Sequence, residues 1–171
     1  MVNRGCPFGG SPGQWRSLQP SQPPTEGYRI IAGSTWWTLL HWPWRLFVSA
    51  RAAGISASPP PLAPPGAQFV FFTDRESLEG VHGPADFARR MGLPTRAHQA
   101  CSLYGCAIVR FTIPADGEVY TPVPPLGARQ GLTGGGAREW CLVGNLPLDE
   151  TMEVIYVDVD GNGPRWYHLP L

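Results

Sequence analysis

Glu139 is the carboxylate whose neighbours best equip it for chemistry. It stands in "GLTGGGAREW" (Gly131 to Trp140), just beyond the glycine triplet Gly134, Gly135 and Gly136. Glycine loses more backbone freedom on folding than any other residue, so three in a row need a reason. They can form a turn, or let bare backbone pack against a flat ligand. A carboxylate on the strand that follows can reach into a cleft and stabilise positive charge developing on a substrate. The plainer reading is an ordinary loop, since glycine supplies 21 of the 171 residues. Both readings stand on the residues alone.

Other constellations carry less. "HQACSLYGC" offers His98, Cys101 and Cys106 as zinc donors, with Cys141 as a fourth, but no second paired knuckle exists. Isolated buried thiols are the default, and no metal is expected. "DVDGNG" (Asp158 to Gly163) begins like a calcium loop, yet its twelfth position is Leu169 where a bidentate Glu belongs. A hairpin turn is the better reading. No G-x-S-x-G occurs, and with no lysine in the chain neither a Walker loop nor a Schiff-base lysine is possible.

The elements that must position Glu139 are mostly strands. "FVFFT" (Phe69 to Thr73), "CAIVRFTIP", "EWCLVG" and the two arms of "MEVIYVDVDGNGPRWYHL" read as strands near 69–73, 106–113, 138–143, 152–158 and 165–169. The last two bracket a glycine turn and predict a hairpin. "EVYTPVPP" reads as an extended edge, because its prolines cannot serve a central ladder. "GPADFARRMGLP" carries helix start and stop signals and predicts a helix near 84–91. Alternation in "REWCLV" puts Glu139, Cys141 and Val143 on one face and Arg138, Trp140 and Leu142 on the other, the latter pair facing the core.

Composition divides the chain. Residues 1–66 hold five Arg, one acid and 11 of the 20 prolines, whereas residues 67–171 hold eight Arg and twelve acids. This predicts a Pro/Trp-rich basic N-terminal segment and linker (1–66, with 1–27 as coil) and a patterned domain (67–171). The uncharged run Ile30 to Trp44 is 15 residues, short of a membrane span. Its tryptophans read as a buried strand and short helix covering the domain, with membrane contact by residues 28–50 as the less favoured reading. Net charge is zero, which argues against nucleic-acid binding through phosphate neutralisation. The first 15 residues lack an apolar h-region, so no signal peptide is expected, and a reduced compartment suits the four cysteines.

Three segments in order, "FVFFTDRESLEGVHGPADFARRMGLP", "AIVRFTIPADGEVYTPVPPLG" and "TGGGAREWCLVGNLPL", resemble C-terminal toxin domains of bacterial polymorphic secretion systems. Those domains are of the ADP-ribosyltransferase or NAD-glycohydrolase, necrotising-toxin-like type, and the resemblance covers roughly residues 68–158. It implies an α+β fold, a strand-dominated ADP-ribosyltransferase-like split sheet with few helices, and NAD as the substrate. Carried over, Glu139 and Thr73 are the catalytic pair. Arg29 in "GYRII" grips the diphosphate, with Arg75 and Arg110 as alternatives, and Gly134, Gly135 and Gly136 lie against the dinucleotide. The resemblance also implies a protein or small-molecule acceptor, an immunity protein, and a cytoplasmic site of action after delivery by a secretion system. This sequence departs from the pattern in three places. No Gln follows the glycines, the Ser-Thr-Ser triplet is reduced to Thr73 and Ser77, and the acid two residues before Glu139 is replaced by Ala137. The last departure favours NAD hydrolysis, or another acceptor, over modification of arginine. The other function class is a non-enzymatic β-rich module that docks a protein or membrane surface through its Trp-rich front.

Overall fold

The computed structural model describes residues 24–121 and 135–157, together with the backbone of two strands, Arg16–Ser17 and Pro164–His168. The chain is α+β. Its strands are β1 (Arg16–Ser17), β2 (Glu26–Ala32), β3 (Phe69–Phe72), β4 (Cys106–Thr112), β5 (Val119–Thr121), β6 (Trp140–Val143), β7 (Glu153–Val157) and β8 (Pro164–His168). They form two antiparallel sheets, β1-β5-β6-β3 and β2-β4-β7-β8. A single antiparallel bridge, Tyr28 to Thr73, joins them. There the Tyr28 N–H donates to the Thr73 carbonyl at 2.9 Å, and the Thr73 N–H donates back at 2.8 Å.

Alternation decides what each strand buries. Ile31, Val70, Phe72, Ala107, Val109, Phe111, Trp140 and Leu142 build a core shared by both sheets. Trp140 and Leu142 are 8% and 2% exposed, as their face predicts. Tyr28, Ile108, Ile155 and Val157 turn to a second core. Phe87 and Ala88 of helix α4 and Cys101 of helix α5 close that core from above.

Helix α4 (Gly83–Arg90) follows its sequence signals. Pro84 lies in its first turn, where a missing N–H is harmless, and Asp86 accepts a hydrogen bond from the His82 N–H at 3.0 Å. Arg89 and Arg90 occupy the last turn, where cations suit the helix dipole. The short helix α3 (Arg75–Leu78) is capped by Asp74, whose side chain accepts from the Ser77 N–H at 2.8 Å. Helix α5 (Thr95–Tyr104) lay outside the sequence expectation and ends at Gly105.

The division at residue 66 needs correction. Strand β2 pairs with β4 along seven residues, from Glu26 opposite Thr112 to Ala32 opposite Cys106. Beyond β2 runs one helical stretch: α1 (Gly33–Thr35), wide π-helical turns over Trp36–His41, then α2 (Trp42–Ala52). Trp36, Leu40 and Trp44 from this stretch, with Leu62 and Ala63, belong to the shared core. Residues 26–66 are therefore one body with the segments that follow. Glu26 and Gly27, expected in coil, are strand. The expected hairpin is seen as five β7–β8 pairs, Glu153 opposite His168 through Val157 opposite Pro164. Its turn, Asp158 to Gly163, lies outside the described residues.

Candidate functional site

The site forms where the two sheets meet. In the β3–β6 ladder the last pair is Phe72 with Trp140, and Glu139 directly precedes β6. Thr73 is bridged to Tyr28, Tyr28 faces Arg110 on β4, and Arg110 faces Glu153 on β7. Directly opposed residues share a face of a sheet. Glu153, Arg110, Tyr28 and Thr73 therefore make one row across the junction, and the segment carrying Glu139 meets it at Thr73.

The segment that delivers Glu139 is held by its backbone. The Thr73 hydroxyl, fully buried, donates to the Arg138 carbonyl at 2.6 Å, and the Arg138 N–H donates to Ser77 Oγ at 2.9 Å. Arg138 itself extends outward to Glu76 (3.2 Å) and Asp74 (3.5 Å). The Thr73 hydroxyl thus fixes the strand beside Glu139. Ser77 does the same from the other side.

Glu139 is half-buried, and burial raises its carboxyl pKa from 4.5 to about 7, with no neighbouring charge contributing. A carboxyl in that state is divided between its acid and its anion at neutral pH. Perturbed groups of this kind gather where proton transfer or charge stabilisation takes place.

The cations sort by face. Arg110, in the row, is ion-paired to Glu153 at 3.2 Å and to Glu26 at 4.0 Å. Arg75, exposed at the start of α3, lies close enough to Tyr28 to lower its pKa against the larger raising effects of burial and Glu26. Arg29 does not join them. Alternation along β2 turns it with Ile31, away from Tyr28, and its Nη1 donates to the Phe71 carbonyl at 2.9 Å. The early-strand arginine expected to grip a diphosphate thus lies on the face of β2 away from Tyr28 and Arg110, and Arg75 and Arg110 are the cations near the row.

The glycine turn also has a packing role. A Cβ on Gly135 would lie 2.0 Å from the Arg89 carbonyl oxygen and 2.4 Å from that of Arg90, so glycine is needed where the turn presses on the end of α4. Gly136 has φ of +87°, a region that favours glycine. Gly134 lies outside the described residues. Ala137, where an additional acid was lacking, is fully buried.

Sequence reasoning missed Tyr28. Its signal was its place directly before Arg29 in "GYRII", where one of the two had to face each core. The cysteines hold no metal-like cluster: among the described residues no group of three or more His, Cys, Asp or Glu could hold an ion. Cys101, Cys106 and Cys141 are buried, and burial pushes the Cys101 thiol up to about 11. No described helix is long and apolar enough to cross a membrane. Comparison of this chain with protein-family models, with curated proteins and with solved structures finds no match.

Proposed function

We propose that this chain cleaves the nicotinamide–ribose bond of NAD, as a glycohydrolase or an ADP-ribosyltransferase of the toxin type. The observation that carries the reading is Glu139: a desolvated carboxyl next to Arg138, whose carbonyl the Thr73 hydroxyl holds where a bridge joins the two sheets. The resemblance asks for a Ser or Thr on a middle strand and a Glu on a late one, and Thr73 and Glu139 are of those types, linked through the Arg138 backbone.

In this reading the Glu139 carboxylate accepts a hydrogen bond from the ribose 2′-hydroxyl. It stabilises the oxocarbenium-like charge that develops as the C1′–N bond breaks. The bond electrons leave with nicotinamide, which departs neutral. Water, or an acceptor nucleophile, then adds to C1′ and releases a proton. Arg75 and Arg110 face the diphosphate; guanidinium groups suit phosphate oxygens through paired hydrogen bonds. An immunity protein, delivery by a secretion system and a cytoplasmic site of action belong to the same reading.

The test is nicotinamide release from NAD by the full chain, with Glu139→Gln as the comparison. Release by the parent and its loss in the variant support the reading. Absence of release by the folded parent overturns it. One observation favours the second class, a docking module. Trp37, Leu39, Trp42 and Leu46 on the front helical stretch are 46–58% exposed. A chain that never releases nicotinamide, yet binds a partner through those side chains, belongs to that class.

A further inference from the structure

Arg29 faces a small cavity of about 40 Å³ on the far side of β2 from Tyr28. Its walls are Ile31, Leu39, Leu40, the proline-rich segment Pro61 to Pro65, and Thr35. The guanidinium Nε is buried without a hydrogen-bond partner. Its Nη1 is held by the Phe71 carbonyl, and among the described residues no carboxylate lies within ion-pair distance of Arg29. A desolvated charge without a counter-ion is expensive, and proteins rarely leave one so.

The remaining donors of the wall are spent elsewhere. The Leu62 N–H donates to the Leu146 carbonyl at 2.7 Å, and the Ala63 N–H donates to Asn145 Oδ1 at 2.9 Å. Pro61, Pro64 and Pro65 have no N–H at all. Arg29 and Thr35 are the polar side chains of the wall, and no hydrogen bond of the Thr35 hydroxyl is seen among the described residues. Both can donate, and the surround is apolar, which strengthens each charge interaction.

We propose that Arg29 and Thr35 form a binding site for a small monovalent anion, of the size of a halide or a simple carboxylate. The volume sets the class. A water needs roughly 10–15 Å³ of such space, so the cavity holds an anion of a few heavy atoms and no nucleotide. Burial lowers the Arg29 pKa only to about 10, so the cation persists at neutral pH. The site is independent of the NAD reading, because it lies on the opposite face of β2 from Tyr28 and the Arg110 that faces it. Its occupant ties the strand to the proline-rich segment.

The experiment titrates the full chain with sodium chloride at constant ionic strength, held with sodium gluconate, and follows chloride NMR line broadening and the melting temperature. The expected result is saturable broadening, displaced by formate and bromide, with a matching rise in melting temperature. Arg29→Gln removes the saturable component. Thr35→Val keeps the fold and weakens chloride on the order of tenfold, the scale of one hydrogen bond to a charged group. Should Arg29→Gln fail to fold, the Thr35→Val titration decides. No saturable component in the parent, or affinity unchanged in every folded variant, overturns the site.

Discussion

Glu139, just before β6, and Arg29, on β2, are both ionisable groups drawn out of water with no ion pair among the described residues. The two solve that problem differently. A carboxyl can take up a proton, and Glu139 does so with a pKa of about 7. A guanidinium remains charged, and Arg29 still does with a pKa of about 10. Burial therefore turns the Glu139 side into a place where charge can be switched, and the Arg29 side into a place where charge must be matched. Only the first is suited to a reaction. The second is suited to holding an ion.

The largest effect expected from breaking this contrast is on rate. Glu139→Gln removes the switchable charge and keeps the shape, so nicotinamide release should fall by about 10²–10³. Activity of the parent should rise with pH through about 7, since the working form is the carboxylate. A variant as fast as the parent, or a parent whose rate is flat across that range, removes Glu139 from the chemistry. Chloride affinity at Arg29 should not change.

Next comes the turn that delivers Glu139. Gly135→Ala drives a methyl into the Arg89 and Arg90 carbonyls. Denaturant unfolding should show a loss of about 2–4 kcal/mol, as for other overpacked sites. Equal stability would mean that the turn and α4 do not press together.

Thr73→Val comes third. It strips the hydrogen bond to the Arg138 carbonyl and leaves that oxygen without its buried donor, a cost of about 1–3 kcal/mol. Nicotinamide release should fall with it, because the strand beside Glu139 is loosened. Thr73→Ser, which restores the donor, should recover most of the activity.

The smallest effect is on the pH dependence of stability. The folded-state pKa of Glu139 is raised, so its contribution is fully present below about 4.5 and is lost as pH rises through about 7. Glu139→Gln has nothing to lose over that window. It should match the parent at pH 4 and exceed it at pH 8 by about 1–2 kcal/mol, a figure reduced for partial exposure. A difference that does not vary with pH would show that the carboxyl is well hydrated.

Much of the back half was legible because its strands alternate cleanly. The described ranges of β3, β4, β6 and β7 fall within two residues of expectation, and α4 within one, where Pro84, Asp86 and the paired arginines mark both ends. Helix α5 was not legible: it has no acid in its first turn and no side-chain cap. The stretch from Ile30 to Trp44 reads as a buried strand and short helix, and it is the end of β2 followed by helical turns, with Trp36, Leu40 and Trp44 in the shared core. Where strand gives way to helix was not legible, because its aromatic residues favour strands locally. At the site, the types Glu, Thr and Arg could be read from sequence. Which arginine lies near the row could not, because that depends on the register of four strands and on which side of β2 meets which core.

The bridge between Tyr28 and Thr73 also has a dynamic meaning. The two sheets share side-chain packing on one side, but among the described residues their backbones are joined by two hydrogen bonds, at the Tyr28–Thr73 bridge. A ladder of seven pairs, like β2 with β4, opens from its ends, whereas a lone pair of bonds opens in one event. The amide protons of Tyr28 and Thr73 therefore act as a paired clock. If they exchange with solvent together, and faster than the amides of β4, the seam breathes while each sheet stays intact. If they exchange only as slowly as Val109 and Val154, the two sheets unfold as a single cooperative unit, and the row that crosses them is as rigid as either one.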